Sequence, residues 1–179
     1  MKKKNNLKSN TKRLAVSAVL SALSIVVMLI GSVTGFLDLT MVAIASIFVF
    51  FAILEMGSPY QYLIYVTTSL LSMLLLPDKF SAILYMAFGG IYPMLKQQIE
   101  KLPRVFSWIL KVVYFNVILI GSTLCAKYLF NVNGEELTVM LFIVGNAAFT
   151  VYDIAMTRLI TYYLLGLREK FRIEKYFKN

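Results

Sequence analysis

The sequence predicts an all-α, polytopic membrane protein: a bundle of six transmembrane helices with both termini in the cytoplasm. Three observations carry this. Hydrophobic residues make up 59% of the 179 positions, and the mean hydropathy is +0.75, well beyond the apolar share of a soluble domain. Six apolar stretches separated by short polar breaks fill most of the chain. Positive charge sits on alternate breaks.

Windows of about 18 or more apolar residues read as membrane-spanning helices. They fall at residues 14–36, 39–55, 59–76, 80–95, 106–129 and 138–165. The second and fourth are the shortest, and the last is long enough to tilt. Residues 1–13 form a basic N-terminal tail, 14–165 one transmembrane domain, and 166–179 a basic C-terminal tail.

Charge sets the orientation. The N-terminal tail carries Lys2, Lys3, Lys4, Lys8, Lys12 and Arg13, with no acid. The fourth connection carries Lys96, Lys101 and Arg104 against Glu100. The C-terminal tail carries Arg168, Lys170, Arg172, Lys175 and Lys178 against Glu169 and Glu174. Lys and Arg near helix ends mark the cytoplasmic side. Fourteen of the 18 basic residues therefore lie inside. The opposite connections hold Asp38, Asp78 with Lys79, and Glu135 with Glu136. The second turn, residues 55–59, lacks a positive mark of its own. The net charge of +9 reads as topology-setting charge beside anionic lipid, not as a nucleic-acid surface. A cleavable signal peptide is the alternative at the N-terminus, but the apolar run over residues 14–30 exceeds the usual ~7–15-residue signal core.

Polar residues at membrane depth are the candidate functional residues. Asn146, Thr150, Asp153 and Thr157 recur at helical spacing and form one stripe of the sixth helix. A charge at mid-bilayer costs about 2.5–3.5 kcal/mol on insertion scales, so Asp153 must face protein or water. Arg158 lies on another face and can snorkel. In the fifth helix Asn116, Thr123 and Lys127 share a face. Lys111 either snorkels to the inner interface or pairs with Asp153. Gln61, Tyr65, Thr68 and Ser72 stripe the third helix. These stripes serve either interhelical hydrogen bonding or a polar pocket. On the second reading Asp153, Asn146, Thr150 and Asn116 are the substrate-binding candidates.

The first helix has two small-residue pairs, Ala18 with Ala22 and Ser17 with Ser21. They serve either packing within the bundle or docking of a separate subunit, because small side chains let membrane helices approach closely. Near the end of the fourth helix, Gly89, Gly90 and Pro93 weaken or kink it. Residues 97–102 then read as a short interfacial segment, with Tyr92 and Trp108 as interface aromatics.

Enzyme chemistry has little to build on. Histidine is absent and cysteine occurs once, as Cys125 in the fifth span. A Ser–His arrangement is impossible, His/Cys metal sets are missing, and there is no phosphate-binding or dinucleotide fingerprint. No catalytic residue, metal or cofactor is expected, and the lipid bilayer is the first partner.

The opening Lys12-Arg-Leu-Ala-Val-Ser-Ala-Val-Leu-Ser-Ala-Leu-Ser24 behind a basic tail resembles the substrate-binding S components of energy-coupling-factor transporters. The resemblance implies a six-helix membrane protein that binds a small-molecule micronutrient. It further implies docking on a transmembrane coupling subunit with separate ATPase subunits, through an Ala-x-x-x-Ala motif that Ala18 and Ala22 match. Residues 74–79 and 90–96 are also similar to an uncharacterised group of Firmicute membrane proteins. The rod-shape D proteins, structural parts of the cell-wall elongation machinery, are similar in size and helical makeup. They supply the alternative function, a non-catalytic scaffold of a cell-envelope complex.

Overall fold

The computed structural model describes residues 2–34, 38–130 and 135–168, with side chains described at 10–34, 39–79, 81–121, 124, 142–166 and 168. Thr123, Cys125, Lys127, the acidic connection at 135–136 and most of both basic tails lie outside the described side chains. Among the described residues every regular element is helical, as the apolar periodicity implied. The helices are α1 (Lys2–Thr34), α2 (Asp38–Glu55), α3 (Tyr60–Leu75), α4 (Lys79–Leu84), α5 (Ile91–Ile99), α6 (Arg104–Phe130) and α7 (Glu135–Tyr162). A π-helical turn, Tyr85–Gly89, follows α4, and a second one, Tyr163–Leu167, follows α7.

Among the described residues two stretches are long and apolar enough to cross a membrane, Asn10–Thr34 and Arg104–Gly121. The apolar stretches Leu39–Glu55 and Tyr60–Leu75 are shorter.

The chain divides into two compact units, Met1–Leu95 with Ile160–Asn179, and Lys96–Leu159. In the first unit α1, α2 and α3 pack on one another. Met28, Val42, Ala45, Val49, Ile64 and Tyr85 are fully or almost fully buried at its core. The pairing of ends sets the register. The Arg13 guanidinium donates to the Met56 carbonyl at 3.4 Å and lies 5.9 Å above the Tyr60 ring, at the start of α3. At the other end Ser32 Oγ accepts the Asp78 N–H at 3.0 Å, just beyond α3. Thus α1 and α3 run in the same direction, and α2 returns between them.

The turn after α2 needs Gly57, whose φ of 67° lies in the left-handed region and whose N–H reaches the Ala52 carbonyl at 2.9 Å. The Ser58–Pro59 peptide bond is cis. At the far turn Asp78 caps α4: its Oδ2 accepts the Ser81 N–H at 3.2 Å and hydroxyl at 3.1 Å. Lys79 donates to the Met73 and Leu76 carbonyls, both at 2.8 Å. Its cation therefore closes the end of α3, where orphan carbonyls attract positive charge.

The helix expected at 80–95 is interrupted: α4, the π turn and α5 follow one another from Lys79 to Ile99. The Tyr65 hydroxyl donates to the Met86 carbonyl at 3.1 Å within the π turn, where the widened backbone ladder offers an acceptor. Gly89 and Gly90 are there because nothing larger fits. A Cβ on Gly89 would stand 2.7 Å from Val42 Cγ1, and one on Gly90 would stand 2.3 Å from Tyr65 Cδ2. Tyr92 is fully buried and stacks on Phe88 with ring centroids 5.1 Å apart. Its expected place at the lipid interface is corrected: the glycines draw this segment against α2 and α3 and bury the ring.

The two small-residue pairs of α1 lie on different faces. Ser17, Ser21 and Ser24 are buried, whereas Ala18 and Ala22 are exposed. The stripe of α3 turns inward as its period requires, with Gln61, Thr68 and Ser72 buried. Thr68 Oγ1 is buried with no hydrogen-bond partner among the described residues. An isosteric Thr68→Val change removes that unsatisfied group, so detergent melting should show a higher melting temperature, by about 1 kcal/mol of stability. A fall would mean that the hydroxyl has a hydrogen-bond partner in solution.

Candidate functional site

The polar residues of the second unit converge on one cluster. It begins with the end of α5, where Lys96 and Glu100 stand one turn apart. Lys96 follows directly on an apolar run and is fully buried. A buried ammonium must be paired and hydrogen-bonded. Its Nζ bonds Asp153 Oδ1 in a short contact, donates to Thr157 Oγ1 at 2.8 Å, and stands 2.8 Å from Glu100 Oε1. Lys111, on the buried side of α6 beside Ser107, takes the other face of the acid. Its Nζ donates to Asp153 Oδ2 at 3.0 Å and to Glu100 Oε1 at 2.8 Å. The same ammonium lies 5.7 Å from the centre of the Trp108 ring, within cation–π range.

The result is a closed ring of four charges, Lys96–Asp153–Lys111–Glu100, formally neutral. Asp153 spends one oxygen on each lysine, and a single oxygen of Glu100 serves both. The side chains of Lys96, Asp153 and Lys111 are exposed by 0%, 3% and 5%, but that of Glu100 by 41%. Partial burial raises the Glu100 carboxyl, and the Lys111 and Lys96 ammoniums outweigh it. Glu100 is held below the ordinary carboxylate range.

One and two turns away the stripe continues with uncharged groups. Asn116 and Asn146 exchange amide hydrogen bonds across α6 and α7. Asn116 Nδ2 donates to Asn146 Oδ1 at 2.9 Å, and Asn146 Nδ2 donates to Asn116 Oδ1 at 3.0 Å. Each amide also donates to its own helix, to the Val112 and Phe142 carbonyls, both at 2.8 Å. Thr150 Oγ1 donates to the Asn146 carbonyl at 2.8 Å. Phe115 stacks on Phe149 at 4.5 Å and holds the two helices together beside the amides.

The four sequence-derived candidates, Asp153, Asn146, Thr150 and Asn116, thus share one cluster, and each is hydrogen-bonded within the protein. Asp153 does pair with Lys111, and Arg158 is exposed. Lys96 and Glu100 are the members that sequence reasoning missed, having been counted as charges of a cytoplasmic connection. The usable signal was their i, i+4 spacing at the end of an apolar run that also left Asp153 short of cations.

A second charged cluster lies in the first unit, at the turn after α2. The Glu55 side chain is 1% exposed, and its Oε1 accepts the Tyr163 hydroxyl at 3.1 Å and stands 2.9 Å from Arg168 Nε. Phe51 meets the Tyr163 ring edge-on at 5.8 Å. With Arg13 over Tyr60, cations from both ends of the chain gather at a turn that has none of its own. Among the described residues no group of three His, Cys, Asp or Glu side chains stands together to hold a metal ion.

Comparison with protein-family models, with curated proteins and with solved structures gives no match.

Proposed function

We propose that this chain is a six-span protein of the cell membrane with cytoplasmic termini. In that membrane it acts as the substrate-binding subunit of a micronutrient uptake transporter that separate ATPase subunits energise. The observation that carries this reading is the division of α1. Its serines are buried, while Ala18 and Ala22 are exposed among Leu14, Val19 and Val26, which are 50%, 58% and 55% exposed. An exposed row of small residues on an apolar helix admits a second helix at close range. It is also the row that the S-component resemblance assigns to the coupling subunit.

The topology draws support from two features. Arg13 and Arg168 gather at the 55–59 turn, which supplies the positive mark that its own residues lack. On α6, Val105, Phe106, Ile109, Val113, Val117 and Ile120 are all exposed, a surface suited to lipid.

The alternative, a non-catalytic scaffold of a cell-envelope complex, draws on a different observation. Asn116, Asn146 and Asp153 already satisfy one another and their lysines, as purely structural residues would.

Two measurements test these readings. Reporter fusions should place residues 96–104 in the cytoplasm and 131–136 outside; finding both on one side ends the six-span topology. Ala18→Leu with Ala22→Leu should preserve insertion and melting temperature and abolish co-purification of a coupling subunit from native membranes. Retained association removes α1 as the docking face.

A further inference from the structure

We propose that the Glu100 corner of the ion ring is a binding seat for a small monocarboxylate, and that the Glu100 side chain is its tethered occupant. The four corners are not alike. Lys96, Lys111 and Asp153 are buried on helices, and their mutual bonds fix where each ammonium points. Asp153 holds one lysine on each of its oxygens, so both cations converge on a single further point. That point is occupied by Glu100 Oε1, 2.8 Å from each nitrogen.

Glu100 is the only corner with access to solvent, at 41% side-chain exposure. It sits one residue past the end of α5, in the turn that leads to Pro103. Its backbone N–H is bonded to the Lys96 carbonyl at 2.9 Å, so the side chain can rotate out without unwinding the helix. Rotation returns an exposed carboxylate to water, a small cost beside that of moving any buried member. It leaves two ammoniums and one carboxylate behind, a net positive site in a low-dielectric surround.

Charge selects the ligand. One carboxylate restores neutrality. A dianion overshoots it, and a neutral solute leaves a buried cation uncompensated. The carbon tail has a surface at hand in the Trp108 indole, beside Lys111 and 36% exposed. The proposal goes beyond the substrate-binding reading: the exposed corner lies among residues 96–104, which the proposed topology puts in the cytoplasm, so the seat takes a carboxylate from that side.

The test uses the purified full-length protein in lipid nanodiscs, titrated calorimetrically with sodium butyrate at constant ionic strength, with inorganic phosphate as the comparison anion. Wild type should bind butyrate saturably. Glu100→Gln keeps the side-chain shape and removes the competing charge. If Glu100 fills the seat about nine-tenths of the time, its removal tightens butyrate binding about tenfold. Melting temperature, followed in parallel, should rise with butyrate more in Glu100→Gln than in wild type. Equal affinity in the two proteins, no saturable binding in either, or phosphate binding as tightly as butyrate each overturns the proposal. Butyrate binding by a protein that associates with no coupling subunit leaves the seat standing and removes the transporter reading. Association without butyrate binding does the reverse.

Discussion

Asp153→Asn is expected to destabilise the protein severely, by about 3–5 kcal/mol, the cost of breaking a buried ion pair from one side. The substitution is nearly isosteric, so packing is unchanged. What changes is charge: Lys96 and Lys111, exposed by 0% and 5%, keep only the half-exposed Glu100 between them. The amide keeps one acceptor oxygen and turns an NH2 donor toward the other ammonium, where the carboxylate offered an oxygen to each. Detergent melting of the variant without added ligand should show a large fall in melting temperature. A compensated variant separates charge from position. Lys96→Met with Asp153→Leu removes one cation and one anion together and leaves Lys111 paired to Glu100. Replacing buried ion pairs by apolar residues is often neutral or stabilising, so this protein should melt close to wild type. An Asp153→Asn variant that melts like wild type would show that the ring carries no stability.

Gly90→Ala is expected to produce the largest effect in the first unit, a loss of about 1–3 kcal/mol through overpacking. The added methyl would stand 2.3 Å from Tyr65 Cδ2, 2.8 Å from Cε2 and 3.2 Å from Tyr85 Cε1. Tyr65 cannot swing aside freely, because its hydroxyl is bonded to the Met86 carbonyl. Helix propensity alone favours alanine over glycine by roughly 1 kcal/mol, so propensity and packing predict opposite signs. A melting temperature below wild type decides for packing. Tyr65→Leu in the same chain should recover part of the loss, since the two changes share one space. A stabilised Gly90→Ala would mean that the π turn and its glycines are not held against α3.

The helices themselves were legible in the sequence because burial in lipid or core imposes a period that composition cannot hide. The inward stripe of α3 at Gln61, Thr68 and Ser72, and the shared face of Asn146, Thr150 and Asp153, follow from 3.6 residues per turn. The break near Gly89 was visible too, since two glycines and a proline cluster there. Its form was not: the π turn offers its Met86 carbonyl to the Tyr65 hydroxyl, on a helix 21 residues back in the chain.

The candidate site divides in the same manner. Periodicity along α7 shows that Asp153 faces inward, but not what it faces. Lys96 and Glu100 lie at the end of an apolar run, where a topology marker and a buried ion-pair partner look alike in one dimension. Likewise Ser17 and Ala18 are neighbours in the chain, and no property of either says which one the rest of the protein covers.

The sequence by itself determined the all-α class, the apolar character of the helices and the membership of the polar stripes on α3 and α7. Those features depend on local residue order and the fixed geometry of a helix. Tertiary structure decided the pairing of Asp153 with two lysines, the turning of the α1 serines inward and its alanines outward, and the gathering of Arg13 and Arg168 at the turn after α2. The physical reason is reach. A helix fixes the direction of a side chain within one turn, but the partner at the end of that direction is brought there by a segment up to about a hundred residues away.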